Sequence, residues 1–228
     1  VKQAEQRIVI KQYGIQRSGT NYLEKLVKLN FSPRQALYLT NQFQCKHHAI
    51  DPAVAREWLA DNPRMEFLAA DLPTMAHTIN VRDPMSWSLG FLKHRIKIGK
   101  PAGKLKEPEA HIAQLVHLNR IYKNWRDYAE KHPERFLVIR FEDLLTDFTM
   151  PLREMAMKFS LTTRDLELHD VPQEVMSGGR MSKAIFDRRE YYAKKQYLKE
   201  LTTRVRLAIE DTVDWEIASY FGYVPEED

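Results

Sequence analysis

RIVIKQYGIQRSGTNYLEKLVKL, residues Arg7 to Leu29, reads as a strand, a tight turn and an amphipathic helix in immediate succession. Ile8, Val9 and Ile10 make a short apolar, β-branched run. Gly14 permits a sharp turn, and from Thr20 onward Leu23, Leu26 and Val27 fall on one helical face. Such a junction makes an anion site. The turn aims main-chain N–H groups at a helix start whose first donors have no intrahelical partner, and the partial positive charge there favours phosphate.

Gly14 and Gly19 imitate the Walker A frame G-x-x-x-x-G-K-[ST], but Thr20 and Asn21 stand where a nucleoside triphosphatase carries its lysine and its magnesium-binding hydroxyl. The cation comes earlier, as Arg17, inside the turn, where a guanidinium fork suits a terminal oxyanion. The pattern therefore describes a phosphate cradle with no obvious metal ligand. The plainer alternative is that the two glycines only turn a strand into a helix.

An arginine or lysine followed by Ser-Gly-Thr between a strand and a helix resembles the 5′-phosphosulfate loop of the sulfotransferase family, whose donor is 3′-phosphoadenosine 5′-phosphosulfate. The residues here are Arg17, Ser18, Gly19, Thr20 and Asn21. Two further segments agree in order. HTINVRDP, from His77 to Pro84, is an apolar strand ending in a charged turn. It resembles the family's 3′-phosphate segment, in which an arginine, here Arg82, contacts the phosphate and a serine about two helical turns later adds a hydroxyl. Gly90 stands at that serine's spacing, so Ser88 is taken as the candidate, with Ser86 also near. FLVIRF from Phe136 to Phe141, followed by Glu142-Asp143-Leu144, resembles the family's Arg-Tyr-Glu-Asp-Leu segment with Phe141 in place of tyrosine.

Between the first two segments lies Cys45-Lys46-His47-His48. Adjacent histidines on an extended chain point to opposite faces, which argues against one shared ion. The family's Lys-x-His is matched in spacing by Lys46 and His48, which implies that His48 takes the acceptor's proton and Lys46 faces the transferring group; His47 is the alternative base. Histidine titrates near neutrality, and a neighbouring ammonium favours its proton-accepting form. Late in the chain, Ser177 to Lys183 is a glycine-containing basic loop. By resemblance, Arg180 or Lys183 would close over the 3′-phosphate. Glu142 and Asp143 read as capping and orienting groups rather than as the paired acids of a hydrolase.

The bulk numbers set limits on these readings. A chain of 228 residues suits one buried α/β core, so 1–228 is expected to form a single domain. A net charge of +4 is mild, and the cations are dispersed rather than gathered into a tract, so a solvated surface is the default and no nucleic-acid partner is expected. One cysteine, Cys45, excludes an intrachain disulfide and fits a reducing compartment, hence an expected cytoplasmic location. The chain opens at Val1 rather than methionine, so a leader or anchor could precede it; within it no apolar run has the length to span a bilayer.

Elsewhere the pattern gives a second strand over Ala36–Phe43 and a helix over Pro52–Asn62. A basic loop is expected from Lys93 to Lys106, a long helix from Glu107 to Lys131, and a helix near Pro151–Phe159. Another helix is expected from Asp187 to Glu200, and the segment DWEIASYFGY resembles the family's terminal helix with its Gly-Tyr ending. The expected fold is α/β, a three-layer sandwich with a central, mainly parallel sheet and a P-loop-like strand-turn-helix. The implied function is transfer of a sulfuryl group from 3′-phosphoadenosine 5′-phosphosulfate to a hydroxyl or amine, leaving adenosine 3′,5′-bisphosphate, with no metal assigned. The acceptor stays open among sugar, lipid, peptide and small phenol, with a carbohydrate among the candidates. An atypical P-loop kinase and a non-catalytic nucleotide-binding module share the same turn. A basic nucleic-acid binder ranks last, because no aromatic-basic motif of the nucleic-acid-binding kind appears.

Overall fold

The computed structural model describes residues 8–42, 45–63, 74–171, 176–177, 180–181 and 189–225. Four strands, β1 (Ile8–Gly14), β2 (Ala36–Leu39), β3 (Ala76–Val81) and β4 (Phe136–Arg140), form one sheet in the order β2-β1-β3-β4, and every pairing in it is parallel. Parallel neighbours need crossover connections, and helices supply them. They are α1 (Thr20–Asn30) between β1 and β2, α2 (Pro52–Asp61) between β2 and β3, and α3 (Pro84–Lys97) with α4 (Pro108–Lys131) between β3 and β4.

Both faces of the sheet are covered. Ile10, Ala76, Leu137 and Ile139 pack with Leu23 and Leu26 of α1 and with Leu152 and Met155 of α6 (Thr149–Lys158). The opposite face carries Tyr13, Ile79, Val81 and Phe136 against Leu115, Leu118 and Trp125 of α4, while Val9 and Leu39 meet Ala55 and Leu59 of α2. This is the expected three-layer α/β arrangement. From β1 the chain first turns to one side, to β2, and then crosses to the other, to β3. The topological switch point therefore falls between the C-terminal ends of β1 and β3, the place where open α/β sheets hold ligands.

Several elements differ from the sequence expectation. β2 stops at Leu39 because the Thr40 carbonyl accepts from the Lys11 ammonium and the Thr40 N–H donates to the Gln42 side chain at 2.9 Å, which ends the ladder. The expected basic loop begins later than Lys93. Lys93 to Lys97 are the last turns of α3, which gives way to Gly99 at φ 67°. The expected helix to Glu200 is split by Lys195, at φ 46°, into α7 (Arg189–Ala193) and a 3-10 turn at Gln196–Glu200. Met176–Ser177 pairs antiparallel with Arg180–Met181 as a short ribbon, β5 and β6, inside the expected basic loop. Lys183 and Asp187 lie outside the described residues.

Two helices were not anticipated from the sequence: the short α5 (Phe141–Thr146), which takes Phe141 from the end of the expected strand, and one near residue 205. α8 (Thr203–Thr212) is opened by the Thr202 hydroxyl, which accepts from the Val205 N–H, and it sends fully buried Val205 and Ile209 into the core around α4. It leads into α9 (Trp215–Tyr220), the expected terminal helix. Truncating a buried isoleucine removes its transfer energy and leaves a cavity, at about 2–5 kcal/mol. Ile209→Ala is expected to lower the urea midpoint by a corresponding amount; an unchanged midpoint would show that α8 is not part of the main core.

Candidate active site

The loop between β1 and α1 is shaped by where its carbonyls go. The Ile15 carbonyl accepts from the Ser18 hydroxyl at 2.7 Å, that of Gln16 from the Trp87 indole at 2.7 Å, and that of Arg17 from an Arg82 Nη1–H at 2.7 Å. With three successive acceptors turned away, the donors are left facing the other way. Among the described residues no hydrogen bond takes up the main-chain N–H of Gly19, Thr20 or Asn21, which open the 11-residue helix α1. Arg17 and Gly19 hold φ of 70° and 81°. The first is uncommon for a residue with a side chain, and outliers of that kind gather at binding sites.

Close packing fixes the loop from beneath. A Cβ on Gly14 would stand 2.5 Å from Thr20 Cγ2 and 2.7 Å from Asn80 Cβ, so the end of β1 admits only glycine. A Cβ on Gly19 would meet the Phe141 ring at 2.7 Å. Under the turn, Gln12 Nε2 donates to the Thr20 carbonyl at 2.9 Å and to Asn80 Oδ1 at 3.1 Å, which bridges β1 and β3 at the switch point.

Arg82 follows β3 and reaches across to that loop. Its guanidinium lies between the rings of Phe141 and Tyr192, 4.6 and 4.7 Å from their centroids, and is buried to 3% exposure. Beyond the bond to Arg17, it donates from Nε to Ser86 Oγ and from Nη2 to the Ser86 carbonyl, each at 2.9 Å, which leaves two of the five guanidinium N–H groups outside these bonds. Arg82 thus reaches the main chain of Arg17, whose own side chain is exposed. Ser88 does not join them. Residues 86 and 90 face Arg82, with a Cβ on Gly90 falling 3.2 Å from Nη2, whereas Ser88 lies some 200° around the helix from 86 and bonds buried His111 Nδ1 at 2.8 Å. The hydroxyl beside Arg82 belongs to Ser86. Arg180 sits on β6, and its side chain lies outside what the structure describes.

The second cation near the loop is Lys46. Its ammonium donates to Asn21 Oδ1 at 2.7 Å and stands 3.8 Å from Glu24, while the Lys46 carbonyl accepts from the Gly14 N–H at 2.8 Å. Burial pushes the ammonium below its ordinary pKa, and Glu24 partly offsets the shift. His47 is half-buried, with Nδ1 2.5 Å from the Gly14 carbonyl, and burial lowers its pKa too. His48 is exposed, and its ring makes no hydrogen bond among the described residues. Its carbonyl accepts from Trp125 Nε1 at 3.3 Å, which pins the loop to α4. Of the two histidines, His47 is therefore engaged as a strut and His48 is exposed to solvent.

Sequence reading missed three contributors, Trp87, Tyr192 and Glu24, and preferred Ser88 to the Ser86 that it also noted. Trp87 is buried in the apolar core, yet its one polar atom takes the Gln16 carbonyl. Tyr192 belongs to the run Arg188-Arg189-Glu190-Tyr191-Tyr192, whose aromatic-basic character was the available signal. α7 is tied to α1 by Arg189, which donates to Asp170 at 2.5 Å and to the Tyr22 hydroxyl at 3.1 Å.

Glu142 does orient the site, through the turn after β3. It accepts from the Asp83 N–H at 3.1 Å and the Tyr223 hydroxyl at 2.8 Å, while Asp83 caps α3 through the Ser86 N–H at 2.7 Å. Burial, with Asp83 nearby, holds the Glu142 pKa above the ordinary carboxyl value of 4.5. A carboxyl with a raised folded pKa contributes stability that is fully present below about 4.5 and is lost as pH rises through the raised value. Glu142→Gln, which keeps the shape without the charge, is accordingly expected to gain stability relative to wild type between pH 4 and pH 8. Parallel urea midpoints at the two pH values check the sign.

No family description and no curated protein sequence matches the chain. Among solved structures, the crystal structure of mouse sulfotransferase SULT7A1 complexed with PAP aligns over 96% of this chain and 80% of its own, at 13% identity and a TM-score of 0.46.

Proposed function

We propose that the protein transfers a sulfuryl group from 3′-phosphoadenosine 5′-phosphosulfate to a hydroxyl or amine of a small-molecule or glycan acceptor. The observation that carries this reading is the polarity of the 15–21 loop: three carbonyls are withdrawn by side chains, and the amides of Gly19, Thr20 and Asn21 are left at a helix start. Cations flank that start on both sides, Lys46 from the loop after β2 and Arg82 from the turn after β3. The donor set suits a nucleotide with phosphate at both ends.

In this reading the donor supplies the sulfuryl group and departs as adenosine 3′,5′-bisphosphate. The amides of Gly19, Thr20 and Asn21 and the Arg17 guanidinium hold the 5′ end and stabilise charge as it develops on the bridging oxygen, whereas the Ser18 N–H and hydroxyl are both spent on the Ile15 carbonyl. Such preorganised donors are commonly the largest single contribution to group transfer. Lys46, lying against Asn21, assists the departing oxygen. His48 takes the acceptor's proton. Arg82 has a double duty. It braces the Arg17 carbonyl and offers its two remaining N–H groups to the 3′-phosphate, with the Ser86 hydroxyl beside them in place of the Ser88 hydroxyl. Arg180 is the late cation that would add to the 3′ site.

Calorimetric titration with adenosine 3′,5′-bisphosphate and with AMP, followed by transfer of label from sulfur-labelled donor to a panel of hydroxylated acceptors, tests the proposal. Absence of bisphosphate binding sinks it, and preferred binding of magnesium-ATP would favour the kinase reading. Arg82→Ala is expected to weaken both nucleotides through the loop and to weaken the bisphosphate further, by the roughly 1.5–3 kcal/mol of a charge-assisted contact; equal weakening leaves Arg82 as a brace alone. With an acceptor in hand, His48→Ala should keep nucleotide affinity and lose about 10²–10⁴ in kcat. Unchanged turnover would remove it from the mechanism.

A further inference from the structure

On the sheet face that carries Tyr13 and Ile79, Lys11 and His77 interrupt the apolar pattern. Strands of a parallel sheet covered on both faces are normally near-continuous runs of valine, isoleucine and leucine. Here Lys11 of β1 lies in register with His77 of β3, and Phe136 of β4 continues the same row. Lys11 is 1% exposed, and its ammonium donates to the Thr40 carbonyl just past β2. The His77 ring stacks on Phe136, with centroids 4.5 Å apart and planes 19° from parallel. Its Nδ1 is buried and hydrogen-bonds to nothing among the described residues.

This row forms the floor of a cavity of about 430 Å³, with α2 and the last turns of α4 as walls. The volume lies within the range of about 300–1,000 Å³ typical of small-molecule sites. His77 and Phe136 stand at the beginnings of their strands, whereas the 15–21 loop and Arg82 follow strand ends, so the cavity is distinct from the candidate active site. Its walls are aromatic, with Tyr13 and Tyr128 beside His77 and Phe136. Among the described residues its lining is positive, with Lys11, Arg56 and Arg135 against the one carboxylate of Asp51, although Arg135 also pairs with Glu134 outside the lining at 3.0 Å. Asp51 is partly committed, as it accepts from the Ala53 N–H to cap α2. Burial lowers the Lys11 pKa to about 7, so its charge is held at a cost that a bound anion would offset.

We propose that this cavity binds a small aromatic carboxylate, with the carboxylate against Lys11 and the ring along Tyr13, His77 and Phe136. The proposal does not depend on the sulfuryl-transfer reading. Its test is calorimetric titration of the full chain with 2-naphthoate and with the neutral 2-naphthalenemethanol. Naphthoate should bind once per chain and at least tenfold more tightly than the alcohol. Lys11→Met should weaken naphthoate at least tenfold, and Ala55→Trp, which fills the cavity from α2, should do the same independently. Both variants should keep wild-type affinity for whatever nucleotide the active site takes. No saturable naphthoate binding, equal affinity for the alcohol, wild-type naphthoate affinity in either folded variant, or displacement of naphthoate by adenosine 3′,5′-bisphosphate would each overturn the proposal.

Discussion

The site rests on one constraint, the disposal of three adjacent main-chain carbonyls. A loop of residues 15–21 that kept its acceptors pointing inward would repel an anion whatever cations surrounded it. Ser18, Trp87 and Arg82 each take one acceptor, and the helix α1 begins where they finish. Because a main-chain polar group buried without a partner costs on the order of 1–3 kcal/mol, the three side chains stabilise this orientation as well as permit it. The positive φ at Arg17 is the local cost, and Arg82 binds the same residue's carbonyl.

That arrangement transfers demand outward. Arg82 can reach residue 17 only if its own turn is held, and Glu142 holds it through the Asp83 N–H, with Tyr223 behind. The flat faces of the guanidinium need cover, which Phe141 and Tyr192 provide. Phe141 also seats against Gly19, so one ring touches both the loop and its brace. Cation–π contacts of this kind are worth roughly 0.5–2 kcal/mol. Here they cover the faces and leave the N–H groups to bond in the plane of the guanidinium, as the contacts to Ser86 and Arg17 do.

Much of this was legible in the sequence, for a physical reason. The β1–α1 unit declares itself because its strand is apolar, its turn is a glycine and its helix is periodic, three signals that occupy consecutive positions. Arg82 was legible because a charged turn closing an apolar strand lands at the ligand edge of a parallel sheet. What hid was whatever depends on facing. Ser86 and Ser88 differ by two positions, and only the helix's rotation decides that 86 meets Arg82 while 88 meets His111. The same holds for His47 and His48. α8 went unread because Val205 and Ile209 are its only buried residues, and the exposed Leu207 between them blurs the period. The Lys11–His77 row hid for a related reason: each stands beside another polar residue of its strand, Gln12 or Thr78, and only the register puts the two side by side.

The sandwich around Arg82 has a consequence for how the protein is made. Tyr192 enters 110 positions after the arginine it covers, and Tyr223, which steadies Glu142, enters 31 positions after that. A nascent chain that has left the ribosome only as far as β4 already holds all four strands and the glycine turn, yet it lacks one wall of the stack. Chain elongation runs at about 5–20 residues per second, so the stack stays half-finished for seconds during synthesis. The 15–21 loop is laid down before its brace, and the brace before the ring that closes over it.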